Sequence, residues 1–469
     1  MTVFENIIGQ SGVTQLAADI TGETLAPSML FSGPPASGKG TAGLELGRVL
    51  SCEGPGAPWN CPCKACALHR FLYHPDLLVL GSRSFSAEIA AAASVFFREP
   101  DIPSSRMLFI RSVRKLLMRF SPLIWEDDPK IGKLSGIIEG LNEDVDALGS
   151  IHESSPGKIQ GIDREALEGL RNSILKNAFR LEAEGIGKLI PVGHIRRASW
   201  WSHLAPAGKG KLLLIENADR MQEGGYNALL KMLEEPPAHL TIVLTTAHGG
   251  SLLPTILSRL RPYRFYPRDR DSEWELIRRV FRNAVAEGGG GPGAGGGAWT
   301  AGEGKTGRGT GLLTAYLDSF LPISGESLHG LAAFFAASLA YQGAVTLRKR
   351  GVAVLPPALV ALGKYTAPIA EAAGYGRPLG DTGSCVALIL KGAGNFEVPG
   401  LFHQFLALLL KMVSRSLRDG VSLSGGTVFA EAIRALTAET ETAVNTYNQN
   451  PALALDRYCT EFRRMAVDL

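Results

Sequence analysis

The segment Gly33-Pro34-Pro35-Ala36-Ser37-Gly38-Lys39-Gly40-Thr41 gathers glycines around one lysine. Glycines in such a run let backbone N–H groups turn inward around phosphate oxygens. The positive N-terminal end of a following helix and the Lys39 ammonium add to the same anion site. Far downstream, Leu212-Leu213-Leu214-Ile215-Glu216-Asn217-Ala218-Asp219 is an apolar strand that ends on polar residues. A nucleotide hydrolase keeps its magnesium ligand and its water-activating acid at such a place. Glu216 can still ligate magnesium, but Asn217 is an amide and cannot take a proton from water as a glutamate would. The residue after Lys39 is Gly40, where the pattern expects a Ser or Thr hydroxyl on the metal. Either Thr41 substitutes for it or the metal is held weakly. We read a degenerate ATPase scaffold, largely non-hydrolysing, in which Lys39 keeps weak ATP binding and any Mg2+ is held weakly. Such a chain belongs in an ATP-driven assembly rather than working alone.

A second cluster is Cys52, Cys61, Cys63 and Cys66, with Pro55, Pro58 and Pro62 keeping the segment from being helical. No secretion signal is visible, so clustered thiols point to a metal rather than to disulfides. Four thiolates suit a tetrahedral, structural Zn2+. The one-residue gap between Cys61 and Cys63 is tighter than the usual two-residue knuckle spacing. A three-cysteine site or a redox-sensitive loop are the alternatives. Cys385 and Cys459 are isolated and read as core or surface thiols.

These residues need elements to hold them. Ser28 to Phe31 reads as a buried strand leading into the loop, and Thr41 to Leu50 as the helix leaving it. Beyond the strand at 212–215, helix is expected over Gly225 to Leu233 and strand over Leu240 to Thr245. A short turn or helix follows over Pro254 to Arg259, then strand over Tyr263 to Tyr266. Strands alternating with helices predict a doubly wound parallel α/β domain with its ligand at the strand C-termini. Residues 81–185 read as a largely helical insertion. Its basic and apolar run Arg111 to Arg119 reads as an amphipathic helix with a solvated face, with contact to DNA as the alternative. Gly288 to Gly311 reads as a flexible linker, and the remainder as packed helices.

The chain has 469 residues, 45% of them hydrophobic, and a net charge of +3. That length suits about three domains, and the charge is too mild to demand a nucleic-acid partner. Leu331 to Tyr341 and Phe405 to Leu410 are the most apolar runs. Both fall short of the ~20 residues needed to cross a bilayer. They are expected as buried helices of a cytoplasmic protein with no membrane partner.

Four segments carry a family resemblance. Phe4-Glu5-Asn6-Ile7-Ile8-Gly9-Gln10, the loop at 33–41 with the cysteine knuckle, Ala218-Asp219-Arg220-Met221 with Asn227 to Pro237, and Thr255-Ile256-Leu257-Ser258-Arg259 resemble bacterial clamp-loader subunits of DNA polymerase III, in the AAA+ superfamily. The run Asn-Ala-Leu-Leu-Lys-Met-Leu-Glu-Glu-Pro-Pro is the most specific of them. The last segment departs from the family pattern at Leu260, where a cysteine is usual. The resemblance covers about residues 1–80 and 186–267. It implies an AAA+ nucleotide-binding-like domain over 1–268, with its knuckle at 52–66. It further implies a helical lid over 269–330 containing the linker at 288–311, and a helical collar or oligomerisation domain over 331–469. Motor subunits of the family carry Asp-Glu where this chain has Glu216-Asn217, so the resemblance favours the delta-prime type. It then implies gamma/tau motor subunits and a delta subunit as partners, the sliding clamp indirectly, and primer-template DNA through the complex. Arg259 would be an arginine finger reaching a neighbour's ATP. The alternatives are a hydrolysing gamma/tau-type subunit, a nucleoside monophosphate kinase suggested by Gly38-Lys39-Gly40-Thr41, and a zinc-dependent DNA-binding module.

Overall fold

The computed structural model describes residues 3–126, 128–150, 164–187, 189–282, 312–321, 323, 325–396, 401–418, 423–445 and 449–467. The linker expected over 288–311 lies outside the described residues. The chain divides into two compact units, Met1–Leu317 and Asp318–Leu469.

The first unit is built on five strands. They are β1 (Ser28–Ser32), β2 (Leu77–Gly81), β3 (Lys211–Glu216), β4 (Leu240–Thr246) and β5 (Arg261–Arg264). Every pairing is parallel, and the order across the sheet is β2-β3-β4-β1-β5. Parallel strands of this kind are buried on both faces, and so their sequences are apolar runs rather than alternations. The two-residue period still sorts the side chains. Leu30, Leu78, Leu80, Leu213, Ile215, Ile242 and Leu244 enter one core. Met29, Phe31, Leu77, Val79, Leu212, Leu214 and Val243 enter the other.

The second face is covered by the helices Ser11–Thr21 and Lys39–Ser51, through Val13, Leu16, Ala42, Leu44 and Leu46. The first face is covered by Val192–His203 and Glu223–Glu234, together with helices of the insertion. These are Ser86–Arg98, Pro103–Leu117, Ile131–Ser150 and Arg164–Gly185. Ile89, Phe96, Phe109, Val113, Leu141 and Ile174 share one core with the sheet. The insertion is therefore part of the packing of the sheet and not a satellite beside it. The first unit is an α/β unit with a five-stranded parallel sheet, as the alternation of strands and helices predicts.

Among the described residues the second unit holds helices and no strand. Its longest helix, Gly325–Lys349, is long and apolar enough to cross a membrane by length and composition. It serves instead as a core, with 78% of its apolar window buried within the structure. Phe335 packs on Phe405 and Tyr458, with ring centroids 5.6 and 5.7 Å away. Those partners come from the helices Leu401–Arg418 and Pro451–Val467. Cys385 and Cys459 are both buried here.

Candidate functional site

The phosphate-binding-loop sequence sits at the C-terminal end of β1, where a parallel sheet offers its crevice. Gly38 caps the helix Lys39–Ser51 with φ of 94°, a left-handed conformation that a Cβ would strain. Lys39 is folded back on its own loop. Its Nζ donates to the Gly33 carbonyl at 2.5 Å and the Pro34 carbonyl at 2.6 Å, and lies 3.3 Å from Ser37 Oγ. Burial lowers its pKa to about 8, against the opposing pull of Glu216 and Asp219. Thr41 is exposed. Arg268 lies over the loop, donating to the Ile8 carbonyl at 3.0 Å and to the Ala36 carbonyl. Gly33, Gly38, Lys39, Gly40 and Thr41 are thus gathered at one sheet end, as their spacing required.

Glu216 closes β3 and is only 7% exposed. Its Oε2 accepts a hydrogen bond from Arg119 Nη2 and forms an ion pair with Arg83 Nε at 3.0 Å. Arg119 also donates to the Leu80 carbonyl at 3.0 Å. The Phe85 ring lies against both guanidinium groups, 4.2 Å from Arg83 and 5.4 Å from Arg119. Burial opposes ionisation of Glu216, but Arg83 and Arg119 outweigh it and hold the carboxyl below its ordinary range. The other carboxylate oxygen faces Gly40: a Cβ there would stand 2.0 Å from Glu216 Oε1. Glycine follows Lys39 because the carboxylate fills the space that a serine side chain would take. Asn217 adopts φ 52° and ψ 55°, a left-handed conformation that asparagine tolerates better than most residues. Its Nδ2 donates to the Ser82 carbonyl at 2.7 Å, and its backbone N–H donates to Thr245 Oγ1 at 3.2 Å.

Magnesium demands near-octahedral oxygen ligands at about 2.0–2.1 Å. Here the hydroxyl after Lys39 is missing, the Glu216 carboxylate is held by two arginines, and Asn217 turns its amide to the Ser82 carbonyl just past β2. These residues do not fit Mg2+. Arg83, Arg119 and Arg268 escaped the sequence reading. The run Arg111 to Arg119 does not present a solvated face, contrary to the expectation for an amphipathic helix. Arg111 donates to the His69 and Arg70 carbonyls, Arg114 pairs with Asp146 at 2.8 Å, and Lys115 pairs with Glu88. The physical reason is that this helix packs between the knuckle, the sheet edge and the other insertion helices, so its cations meet partners rather than water. One signal for Arg119 was in the sequence: an acid that ends a buried strand needs a cation, and a basic run stood nearby in the insertion.

The sulfurs of Cys52, Cys61, Cys63 and Cys66 all lie within 4.8 Å of one another, and Cys52 and Cys61 are 3.6 Å apart. Tetrahedral ligands at the ~2.3 Å zinc–sulfur distance would be separated by just under 4 Å, so the cluster could hold a metal ion. Cys63 caps the helix Lys64–Arg70, its sulfur accepting from the Cys66 N–H at 3.4 Å. Burial raises its pKa, but hydrogen bonds from the Glu53 and Cys66 backbone outweigh that and bring it to about 6. Buried Arg48, on the helix that follows the loop at 33–41, donates to Cys66 Sγ at 3.2 Å and to the Pro58 and Ala57 carbonyls. That guanidinium ties the cysteine segment to the loop helix; burial pushes the Cys66 thiol up to about 12, and Arg48 opposes that rise only in part.

Arg259 follows the short helix Pro254–Leu257. Its Nη2 meets Glu234 Oε1 at 2.7 Å, with 34% of the arginine side chain and 50% of the glutamate side chain exposed. Its Nη1 donates to the Thr255 carbonyl at 2.6 Å.

A family model described as "DNA polymerase III, delta subunit" matches residues 170–269. DNA polymerase III subunit gamma/tau of Mycobacterium bovis is 40% identical over 55 residues, 12% of this chain and 10% of that protein. Subunit tau of Salmonella typhimurium is 48% identical over 56 residues, 12% of this chain and 9% of that one. Subunit delta' of Pseudomonas aeruginosa is 39% identical over 82 residues, 17% of this chain and 25% of that one. The matches thus span a quarter or less of these relatives. A gamma subunit-related protein of Thermotoga maritima superposes with a TM-score of 0.23 at 18% identity, over 60% of this chain and 81% of its own. Together the sequence matches support the family of DNA polymerase III clamp-loader subunits, with gamma, tau and delta' types all represented.

Proposed function

We propose that this chain is a delta-prime-like subunit of a bacterial clamp loader. In that role it is a non-hydrolysing arm, assembled with gamma/tau motor subunits and a delta subunit, that helps load a sliding clamp onto primed DNA. The observation that carries the choice is Asn217. A motor subunit needs a base at this position, and here an amide is tied to the Ser82 carbonyl. Gamma and tau relatives match the chain as well as delta' does, so the site chemistry and not the overall likeness favours this type. The arginine finger fits the same reading. Arg259 is partly exposed and held by an ion pair that solvent screens. A neighbour's phosphate can replace Glu234 as its partner at little cost. The four cysteines would hold a structural zinc, all positions being filled by protein.

The test is co-expression with motor, delta and clamp subunits from the same genome, followed by affinity capture of this chain. Recovery of the motor subunits and of clamp-stimulated ATPase is expected. Arg259→Ala should leave assembly intact and slow hydrolysis at one motor site, a finger contributing up to about 10³–10⁵ in the best-studied cases. Steady-state ATP turnover by this chain alone, abolished by Lys39→Ala, would instead identify a motor-type subunit.

A further inference from the structure

We infer that the guanidinium groups of Arg119 and Arg83 stand in place of the divalent cation at this phosphate-binding loop, so that Glu216 takes no metal ion. The inference rests on reading 33–41 as such a loop, and it concerns what the segment between β2 and β3 does to it. Glu216 ends β3 beside the loop helix, close enough that Gly40 has no room for a Cβ. A metal-binding version of this corner needs that carboxylate to face the ion. Instead, one of its oxygens is held by Arg119 and Arg83, and the other abuts Gly40. Two fixed unit charges equal the charge of one divalent ion, and with Glu88 sharing Arg83 they balance the two carboxylates of this corner.

The arrangement is built rather than incidental. Arg119 is buried in a short 3-10 turn, Met118–Phe120. Its carbonyl accepts from Trp125 Nε1 at 2.7 Å, and its Nη1 donates to the Leu80 carbonyl at the end of β2. Phe120 stacks on Trp125 at 5.3 Å, which fixes the turn. Arg83 is fixed from the other side by Glu88, at 3.1 Å. Arginine keeps its charge under essentially all conditions and presents a rigid fork of donors. It can neutralise a carboxylate permanently, but it has no exchangeable coordination position for a phosphate oxygen or a water. A magnesium ion would have to displace both guanidinium groups from Glu216, while Leu80 and Glu88 hold them in place.

Mn2+ replaces Mg2+ at oxygen sites and is read directly by electron paramagnetic resonance. Mn2+ titrations of the full-length chain, with and without ADP, should show no ion held by the protein, and Glu216→Gln should titrate like the wild type. An Arg83→Met/Arg119→Met variant frees the carboxylate. It should gain up to one Mn2+ per chain in the presence of ADP, and lose it again when Glu216→Gln is added. One Mn2+ held by the wild type and weakened tenfold or more by Glu216→Gln would overturn the inference. So would a double variant that keeps its wild-type circular dichroism and gains no ion. If the double variant does not fold, the wild-type titration decides alone. Capture of motor subunits tests the clamp-loader reading separately, so the two can fail independently.

Discussion

Gly40→Ser would restore the hydroxyl that the phosphate-binding pattern expects, and the structure predicts that it destabilises the protein. The added Cβ would stand 2.0 Å from Glu216 Oε1, against the 3.4 Å or more of an ordinary contact. A glutamate tip normally swings aside cheaply. This one is held by Arg119 and Arg83, and a displacement of over an ångström pulls Oε2 away from both. Weakening a buried, charge-assisted hydrogen bond costs about 1.5–3 kcal/mol, and breaking a buried pair outright costs about 3–5 kcal/mol. Serine gains back a few tenths of a kcal/mol over glycine in helix propensity. The expected net loss is about 2–4 kcal/mol, from these same terms. All six tryptophans fall within Met1–Leu317, so urea unfolding followed by tryptophan fluorescence reports the unit that carries the change. The control is a double-mutant cycle with Glu216→Ala. That substitution is itself destabilising, but once the carboxylate is gone Gly40→Ser should be nearly neutral, giving a coupling of about 2–3 kcal/mol. A coupling below about 1 kcal/mol would mean that Glu216 moves freely and that the arginines do not pin it.

Metal analysis of anaerobically purified protein should give one zinc per chain, and Cys66→Ser should lower that content and the urea midpoint of the tryptophan signal; a zinc-free preparation of full stability would refute the knuckle. Glu88 should make the first unit acid-sensitive. Burial opposes its ionisation, but Lys115 and Arg83 hold its pKa at about 2 instead of the ordinary 4.5. A depressed carboxyl stabilises the fold above its unfolded pKa, and that stability is lost as pH falls from about 4.5 toward 2, amounting to at most about 3 kcal/mol. Glu88→Gln should flatten this part of the pH–stability curve, and an unchanged curve would refute the assignment. Arg259→Ala should change the stability of the isolated chain by less than about 1 kcal/mol, because its pair with Glu234 is exposed; a larger loss in the same urea assay would mark Arg259 as structural.

What the sequence revealed divides along physical lines. β1, β3 and β4 were legible because a strand buried on both faces must be a continuous apolar run. β2 carries the same signal in Leu77-Leu78-Val79-Leu80 but went unread. β5 was expected over 263–266 and instead pairs over Arg261–Arg264, where only Tyr263 is buried; an edge strand with a proline and two arginines gives little pattern. The cysteine cluster was legible because thiolate ligands act through residue type and local spacing. The partners of Glu216 were not. Arg119 lies 97 residues away in sequence, and helical periodicity says which face of a helix is apolar, not which buried acid a cation on it will meet. Gly40 and Asn217 were visible as departures from a pattern. The reason for each departure is a contact: one with a carboxylate, the other with the Ser82 carbonyl.

On the proposed reading, those contacts imply that a hydrolytic site cannot be built here one residue at a time. Asn217→Glu supplies the missing base in name only. The left-handed backbone at this position costs a glutamate roughly 1–2 kcal/mol. The hydrogen bond to the Ser82 carbonyl is lost, at about 1 kcal/mol, and a second carboxylate is placed next to Glu216. None of this releases Glu216 from Arg119 and Arg83 or returns a hydroxyl after Lys39. Asn217→Glu should therefore be less stable than the wild type and show no ATP turnover, measured by phosphate release in excess Mg2+. Magnesium-dependent turnover in this single variant would show that the cation site is intact and that a missing base was the sole defect. The arginines would then be bystanders, and the glycine after Lys39 would have lost its explanation.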